Sequence, residues 1–233
     1  MEHADLRERV LEANLALGRA GLVVLTFGNA SAVDRAANVM AIKPSGVAYD
    51  ELRAESIVVV GLTDGEVLAG SLRPSSDTPT HLVLYRSFES IGGVVHTHST
   101  AATAWAQAGR AIPCFGTTHA DHFHGPVPVT RDLTSDEIRE QYESATGGVI
   151  AETIVGLGLD PLEMPAVLVR SHGPFTWGPS AEEAVENAKA LELVATMALH
   201  SVALDHGLEP IGRDLAERHF TRKHGPGAYY GQT

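Results

Sequence analysis

Gly93-Val94-Val95-His96-Thr97-His98-Ser99 decides the fold: a β-branched run enters an H-x-H triplet, which reads as a buried strand over residues 94–98 ending in two imidazoles. Successive strand side chains point to opposite faces, so His96 and His98 share a face roughly 6.5 Å apart along the strand. Both rings can then reach one ion lying about 2.0 to 2.1 Å from each nitrogen. Standing alone, the pair reads equally as two solvated or hydrogen-bonded histidines. A second apolar run, Ala166-Val167-Leu168-Val169, ends in Arg170-Ser171-His172-Gly173-Pro174 and delivers a third histidine beside a Gly-Pro turn. Three imidazoles with an open fourth position are the ligand set of a catalytic zinc site, whereas structural zinc is usually closed by cysteines.

Cys114 is the only cysteine in 233 residues, which excludes an intramolecular disulfide framework and a Cys-based zinc knuckle. A reducing, cytoplasmic location fits that usage. No run of about 18 apolar residues occurs, and Met1-Glu2-His3-Ala4-Asp5 lacks the basic and apolar regions of a secretory signal, so a soluble, unexported protein is expected. With 44% hydrophobic residues the chain can bury a sizeable core, and it reads most simply as one domain over 1–233. A formal net charge of -12 repels nucleic-acid phosphates and anionic membranes, so neither is an expected partner. Any phosphate-bearing ligand must be held by a local site.

Helical spacing of Leu6, Val10, Leu11, Asn14 and Leu17 predicts a first helix to about residue 20, closed by Gly21. Short β-prone runs follow at 23–25, 30–33 and 39–42, and residues 56–68 read as a hairpin turning at Asp64-Gly65. Helices are expected at 79–88, 101–108 and 134–155, the last weakened by Gly147-Gly148. The strand at 166–169 precedes a long helix capped by Ser180, with Glu183 completing a capping box, out to about residue 204. A last helix covers 214–222. The pattern predicts an α/β domain whose central sheet, given the hairpins, is largely antiparallel and covered by helices.

Three loops have the chemistry of an anion cradle: Phe27-Gly28-Asn29-Ala30-Ser31, Lys43-Pro44-Ser45-Gly46 and Arg73-Pro74-Ser75-Ser76-Asp77. Small residues let backbone N–H groups approach a ligand, and hydroxyls and amides add donors. Each alone is an ordinary turn. Beside a three-histidine site they suggest a small phosphorylated substrate whose other end meets the metal.

These motifs in succession, from Leu25-Thr26-Phe27-Gly28-Asn29 through Ser75-Ser76-Asp77 and His96-Thr97-His98 to Ser171-His172-Gly173-Pro174-Phe175, resemble the class II aldolase/adducin family. The likeness is closest to its pentulose-phosphate epimerases and extends through Gly116-Thr117-Thr118-His119-Ala120-Asp121 to the ending Ala228-Tyr229-Tyr230-Gly231-Gln232, nearly the whole chain. It implies a zinc-dependent enzyme, or one using another divalent ion such as Mn2+ or Co2+, that interconverts L-ribulose 5-phosphate and D-xylulose 5-phosphate in carbohydrate catabolism. It also implies a homotetramer with metal sites near subunit boundaries and a C-terminal tail, about 213–233, docked against a neighbour. By resemblance, His96, His98 and His172 match the metal ligands and Asp77 a carboxylate beside the metal. Gly28, Asn29, Ser45, Gly46, Ser75 and Ser76 match the phosphate and substrate pocket, with Lys43 as charge donor. Asp121 and Tyr230 match the acid/base pair. In the related aldolases the Asp77 position resembles a glutamate, and His122 and His124 stand where epimerase relatives often look aromatic. Arg218, His219, Arg222, Lys223 and His224 form a basic stripe, either a solvated face or a counterweight to substrate phosphate.

The chemistry is consistent with that implied activity. A C4 proton of a 2-ketopentose is β to the carbonyl and is not acidified by it, so simple deprotonation is excluded. Oxidation at C4 would need a nicotinamide, yet no strand opens into G-x-G-x-x-G, and no nucleotide cofactor is expected. Retro-aldol cleavage of C3–C4 leaves an enediolate that a divalent metal can stabilise, and re-addition to the other aldehyde face inverts C4. The rival readings are an aldolase cleaving L-fuculose or L-rhamnulose 1-phosphate, a non-catalytic adducin-type interaction protein, and an amidohydrolase, whose barrel leaves no room for further elements at this length.

Overall fold

The computed structural model describes residues 2–225 and 227–230; the closing Gly231 and Gln232 of the tail motif lie outside the described residues. From the N-terminus, α1 (Ala4–Arg19) leads into β1 (Asn29–Asp34), β2 (Val39–Ile42), β3 (Val58–Gly61) and β4 (Val67–Ala69). Next come α2 (Thr78–Ser87), β5 (Gly93–His96), α3 (Thr100–Gln107), the short α4 (Thr117–Ala120) and α5 (Ser135–Gly156). The β6 (Ala166–Val169) and β7 (Gly173–Gly178) hairpin, α6 (Ala181–Leu204) and α7 (Arg213–Thr221) complete the order. The seven strands form one sheet in the order β4-β3-β2-β1-β5-β7-β6, with each neighbouring pair antiparallel. This is the helix-covered antiparallel sheet that the hairpin signals predict.

The central strands are buried on both faces, which is why they read as continuous apolar runs rather than as alternation. Met40, Ile42, Val58, Val60 and Val94 join one core with α2, α3, α5 and the later turns of α6. Val39, Ala41, Val59 and Val95 join another beneath α1 and the first turns of α6. A one-residue slip in such a strand swaps one apolar face for another, so hydrophobic pattern alone pins register weakly. Polar contacts supply the register. Asn14 on α1 accepts from the Ala30 N–H at 2.9 Å and donates to its carbonyl at 3.0 Å. On the opposite face, Ser31 Oγ meets His81 Nδ1 at 2.7 Å and the Tyr85 hydroxyl at 2.8 Å, both from α2.

Four local expectations are corrected. Residues 23–25 form a loop rather than a strand; Leu25 takes a left-handed φ of 57°, and it and Val24 are exposed. Gly173-Pro174 opens β7 instead of making a turn, and the strand continues through the aromatic and β-branched Phe175-Thr176-Trp177. The weak point of α5 is Gln141, with non-helical φ −159° and ψ 51°, while Gly147 lies where α5 crosses α2 and a Cβ would meet Val83 Cβ at 2.7 Å. Ser180 caps α6 by accepting from the Glu183 N–H at 3.2 Å, whereas the full reciprocal box closes on Thr134 and Glu137 of α5.

Candidate active site

β5 ends at His96, one residue pair earlier than the triplet suggests, so His98 sits just beyond the strand and is exposed while His96 is buried. The rings converge nonetheless, with the two Nε2 atoms 3.0 Å apart. His172 comes from the three-residue turn of the β6–β7 hairpin, where Ser171 takes a φ of 62°. One nitrogen from each of the three rings lies within 4.8 Å of the others, the only such cluster of His, Cys, Asp or Glu among the described residues. The first ring is held in one orientation: His96 Nδ1 lies 3.0 Å from the Pro174 carbonyl and the ring stacks on Phe175 at 4.2 Å. Donation of Nδ1–H to that carbonyl leaves the Nε2 lone pair facing the cluster, the arrangement that orients metal-binding histidines. Burial lowers the His96 pKa to about 3, so the ring is a neutral ligand at neutral pH. The donor set, three neutral imidazoles opening on a cavity, fits a divalent ion such as zinc.

That cavity holds about 360 Å³ and is lined by all three histidines together with Asp77. Gly28, Asn29, Lys43, Ser45, Gly46, Ser75 and Ser76 line it as well, so the three cradle loops meet at one place. Backbone bonds lace the second loop to the third: Ser45 N–H donates to the Arg73 carbonyl at 2.9 Å and Ser75 N–H to that of Lys43 at 3.0 Å. Gly28 must be glycine, because its φ is 78° and a Cβ would lie 2.8 Å from the His96 carbonyl. Asn29 donates through Nδ2 to Ser75 Oγ at 3.0 Å and to Asp77 Oδ2 at 2.7 Å. Its Oδ1 is buried with no donor among the described residues, an acceptor open to a ligand hydroxyl. Burial alone would raise Asp77, but the fields of His96 and His81 and the Asn29 amide hold it below the usual carboxylate range.

Lys43 is 1% exposed and its ammonium finds only the carbonyls of Thr26 and Pro44 at 3.5 and 3.4 Å and the Tyr49 ring at 4.9 Å. With no carboxylate paired to it among the described residues, burial lowers its pKa to about 8. An anionic ligand in the cavity would restore the charge balance. Sequence reasoning missed Tyr142 and Glu143, which also line the cavity just after the α5 break; the Tyr142 hydroxyl lies 3.3 Å from His172 Nδ1. It also missed His81, whose Nε2 is buried without a partner. All three lie in helical stretches whose polar residues look like ordinary surface.

Asp121 and Tyr230 are not part of this cavity. Asp121 caps α4 and is gripped from α7: Arg222 donates to its two oxygens at 2.9 and 2.7 Å, and His219 Nδ1 lies 3.0 Å from Oδ1. Lys223 stands at 3.7 Å, and His224 Nε2 is 3.0 Å from the Asp121 carbonyl. Although partial burial works the other way, these donors and charges hold the Asp121 pKa below its ordinary value. Tyr230 is exposed, its N–H donates to the Arg222 carbonyl at 3.0 Å, and its ring lies under the Arg222 and Lys223 cations at 4.6 and 4.9 Å. The stripe on the last helix is thus not an idle face: it does not line the cavity of its own chain, and most of it serves Asp121. The two residues form a second group, apart from the histidines of their own chain.

Comparison with known proteins bears on both groups. Residues 8–199 match the model of the Class II Aldolase and Adducin N-terminal domain. L-ribulose-5-phosphate 4-epimerase UlaF of Salmonella paratyphi A is 53% identical over 97% of this chain and 98% of its own length, as is the protein of that name from Salmonella typhi. Among solved structures, an L-fuculose 1-phosphate aldolase superposes with a TM-score of 0.78 at 25% identity, covering 95% of this chain and 97% of that one. The family match stops before α7, whereas the match to the epimerases spans nearly the whole chain.

Proposed function

This chain belongs to the class II aldolase and adducin family, and from that membership we propose that it is a metal-dependent epimerase interconverting L-ribulose 5-phosphate and D-xylulose 5-phosphate. The observation that carries the reading is a single cavity in which three convergent imidazoles face a buried lysine, unpaired among the described residues, and three loops. One end of a sugar phosphate suits each side. His96, His98 and His172 hold the ion, zinc by donor type, with Asp77 beside them. When bound, a divalent ion supplies Lewis-acid stabilisation of the negative charge that C3–C4 cleavage leaves on the substrate oxygens.

The chain's own groups do the rest. Lys43, Ser45, Gly46, Ser75 and Ser76 bind the phosphate, and Gly28 keeps the backbone close enough for the Asn29 amide to reach both Asp77 and the substrate. Of Asp121 and Tyr230, one takes the C4 hydroxyl proton as the bond breaks; the aldehyde turns, and the other returns a proton after re-addition on the opposite face. Two groups are required because the hydroxyl leaves on one side and returns on the other. As neither lines the cavity of its own chain, a neighbouring copy supplies them, which makes the working enzyme a homo-oligomer, a tetramer by resemblance, with the 213–230 segment docked at the cavity mouth. Exposed Phe27 in the cavity wall, with exposed Val24 and Leu25 just before it in the chain, gives that contact an apolar surface. Among the described residues no helix is long and apolar enough to cross a membrane; a cytoplasmic location is part of the proposal.

Purified protein loaded with zinc and offered L-ribulose 5-phosphate, L-fuculose 1-phosphate and L-rhamnulose 1-phosphate tests the reading. The expected result is D-xylulose 5-phosphate from the first and no dihydroxyacetone phosphate from the others. Release of dihydroxyacetone phosphate would make it an aldolase, and no turnover with bound metal would favour an interaction protein.

A further inference from the structure

His124 is a residue for which the reaction scheme has no use, yet it occupies a built position. Its Nδ1 lies 2.9 Å from Glu163 Oε2 and its Nε2 3.0 Å from Glu217 Oε1, and its ring stacks on Phe220 at 4.4 Å with 9° between planes. Glu163 lies in the segment before β6, while Glu217 and Phe220 belong to α7. Carboxylate oxygens only accept, so both ring nitrogens must donate, and only the imidazolium does so. The ring therefore joins the chain just after Asp121 to the helix whose His219 and Arg222 hold Asp121.

We propose that protonated His124, gripped between Glu163 and Glu217, is a clasp that positions α7, and through it Asp121 and Tyr230, for catalysis. The clasp rests on the proposed acid/base role of those two residues. Hydrogen bonding to Glu217, against partial burial and with help from Glu163, raises the His124 pKa. The other titratable groups around it are Arg222, His224 and Tyr229, which share its cavity; His224 stacks on Phe220. The imidazolium is present below its raised pKa. As pH rises through that value one bond is lost and a lone pair turns toward a carboxylate, so the hold on α7 weakens on the alkaline side.

Amide hydrogen exchange of residues 213–224, corrected for intrinsic rate, tests this in the zinc-loaded enzyme. Between about pH 6 and about pH 9 the protection should fall about fivefold, a charged bond discounted for its exposure. His124→Phe keeps a ring to stack on Phe220 and should show the lower protection at both pH values, with kcat reduced and KM little changed. Glu217→Gln can accept from or donate to the ring, so its protection should no longer follow pH. Protection that is flat in the wild type and unchanged in His124→Phe would overturn the clasp. Loosened α7 with unaltered kcat, while Asp121→Asn is inactive, would overturn the positioning role; a fully active Asp121→Asn would instead count against the acid/base reading.

Discussion

A buried ammonium without a carboxylate is costly, and among the described residues Lys43 has none paired to it. If it is there for the substrate phosphate, Lys43→Met should raise KM for the sugar phosphate, and the inhibition constant of inorganic phosphate, by about tenfold or more. Thermal stability should stay level or rise, because the variant removes an uncompensated charge from the interior. A falling Tm with unchanged KM would assign Lys43 to the fold instead. At this scale the sequence was most legible where chemistry and spacing coincide: the H-x-H triplet, the histidine after an apolar strand and the small-residue loops all mark the cavity. Tyr142 and Glu143 were not legible, because it is the break at Gln141 that brings them to the cavity wall, and no glycine or proline marks that break.

Elements place these residues through a few tight approaches. Gly28 lets the loop before β1 pass against the backbone at His96 with a left-handed φ. Gly28→Ala should cost at least about 1 kcal/mol, a fall in Tm of about 2–4 °C for a chain of this size, measured by calorimetry. Metal affinity should fall with it, since the clash is with the backbone of His96, one of the three ligands; an unchanged Tm and affinity would mean the loop has room to move. Short apolar runs gave β2 and β6 to the residue, for strands buried on both faces carry their signal in composition. β7 was hidden because Gly173-Pro174 spells a turn, although here the proline serves the site: its carbonyl meets His96 Nδ1. The loop at 23–25 shows the converse, β-prone residues left exposed where the chain is shaped by the site beside it.

Across the whole molecule, buried neutral histidines couple folding to pH. Burial lowers His81 and His119 to about 4, against roughly 6.5 when unfolded. Between those values the unfolded chain binds more protons, so stability falls as pH falls, by up to about 1.4 kcal/mol per pH unit for each group. Denaturant midpoints should therefore drop steadily from about pH 6.5 toward about pH 4; a flat profile over that window would refute the assignment. Resemblance already docks the tail carrying Tyr230 against a neighbour, but the grouping of Asp121 with that tail rather than with the histidines was not legible in the sequence. It follows from Asp121 being held by α7 while the histidines open on a cavity that neither Asp121 nor Tyr230 lines. Coexpression of His96→Ala with Asp121→Asn, each folded and inactive alone, tests that division together with the activity itself. The account predicts that mixed oligomers regain conversion of L-ribulose 5-phosphate to D-xylulose 5-phosphate, because some cavities then combine an intact metal site with an intact Asp121 from the other copy. Mixed oligomers that form and stay inactive would contradict it.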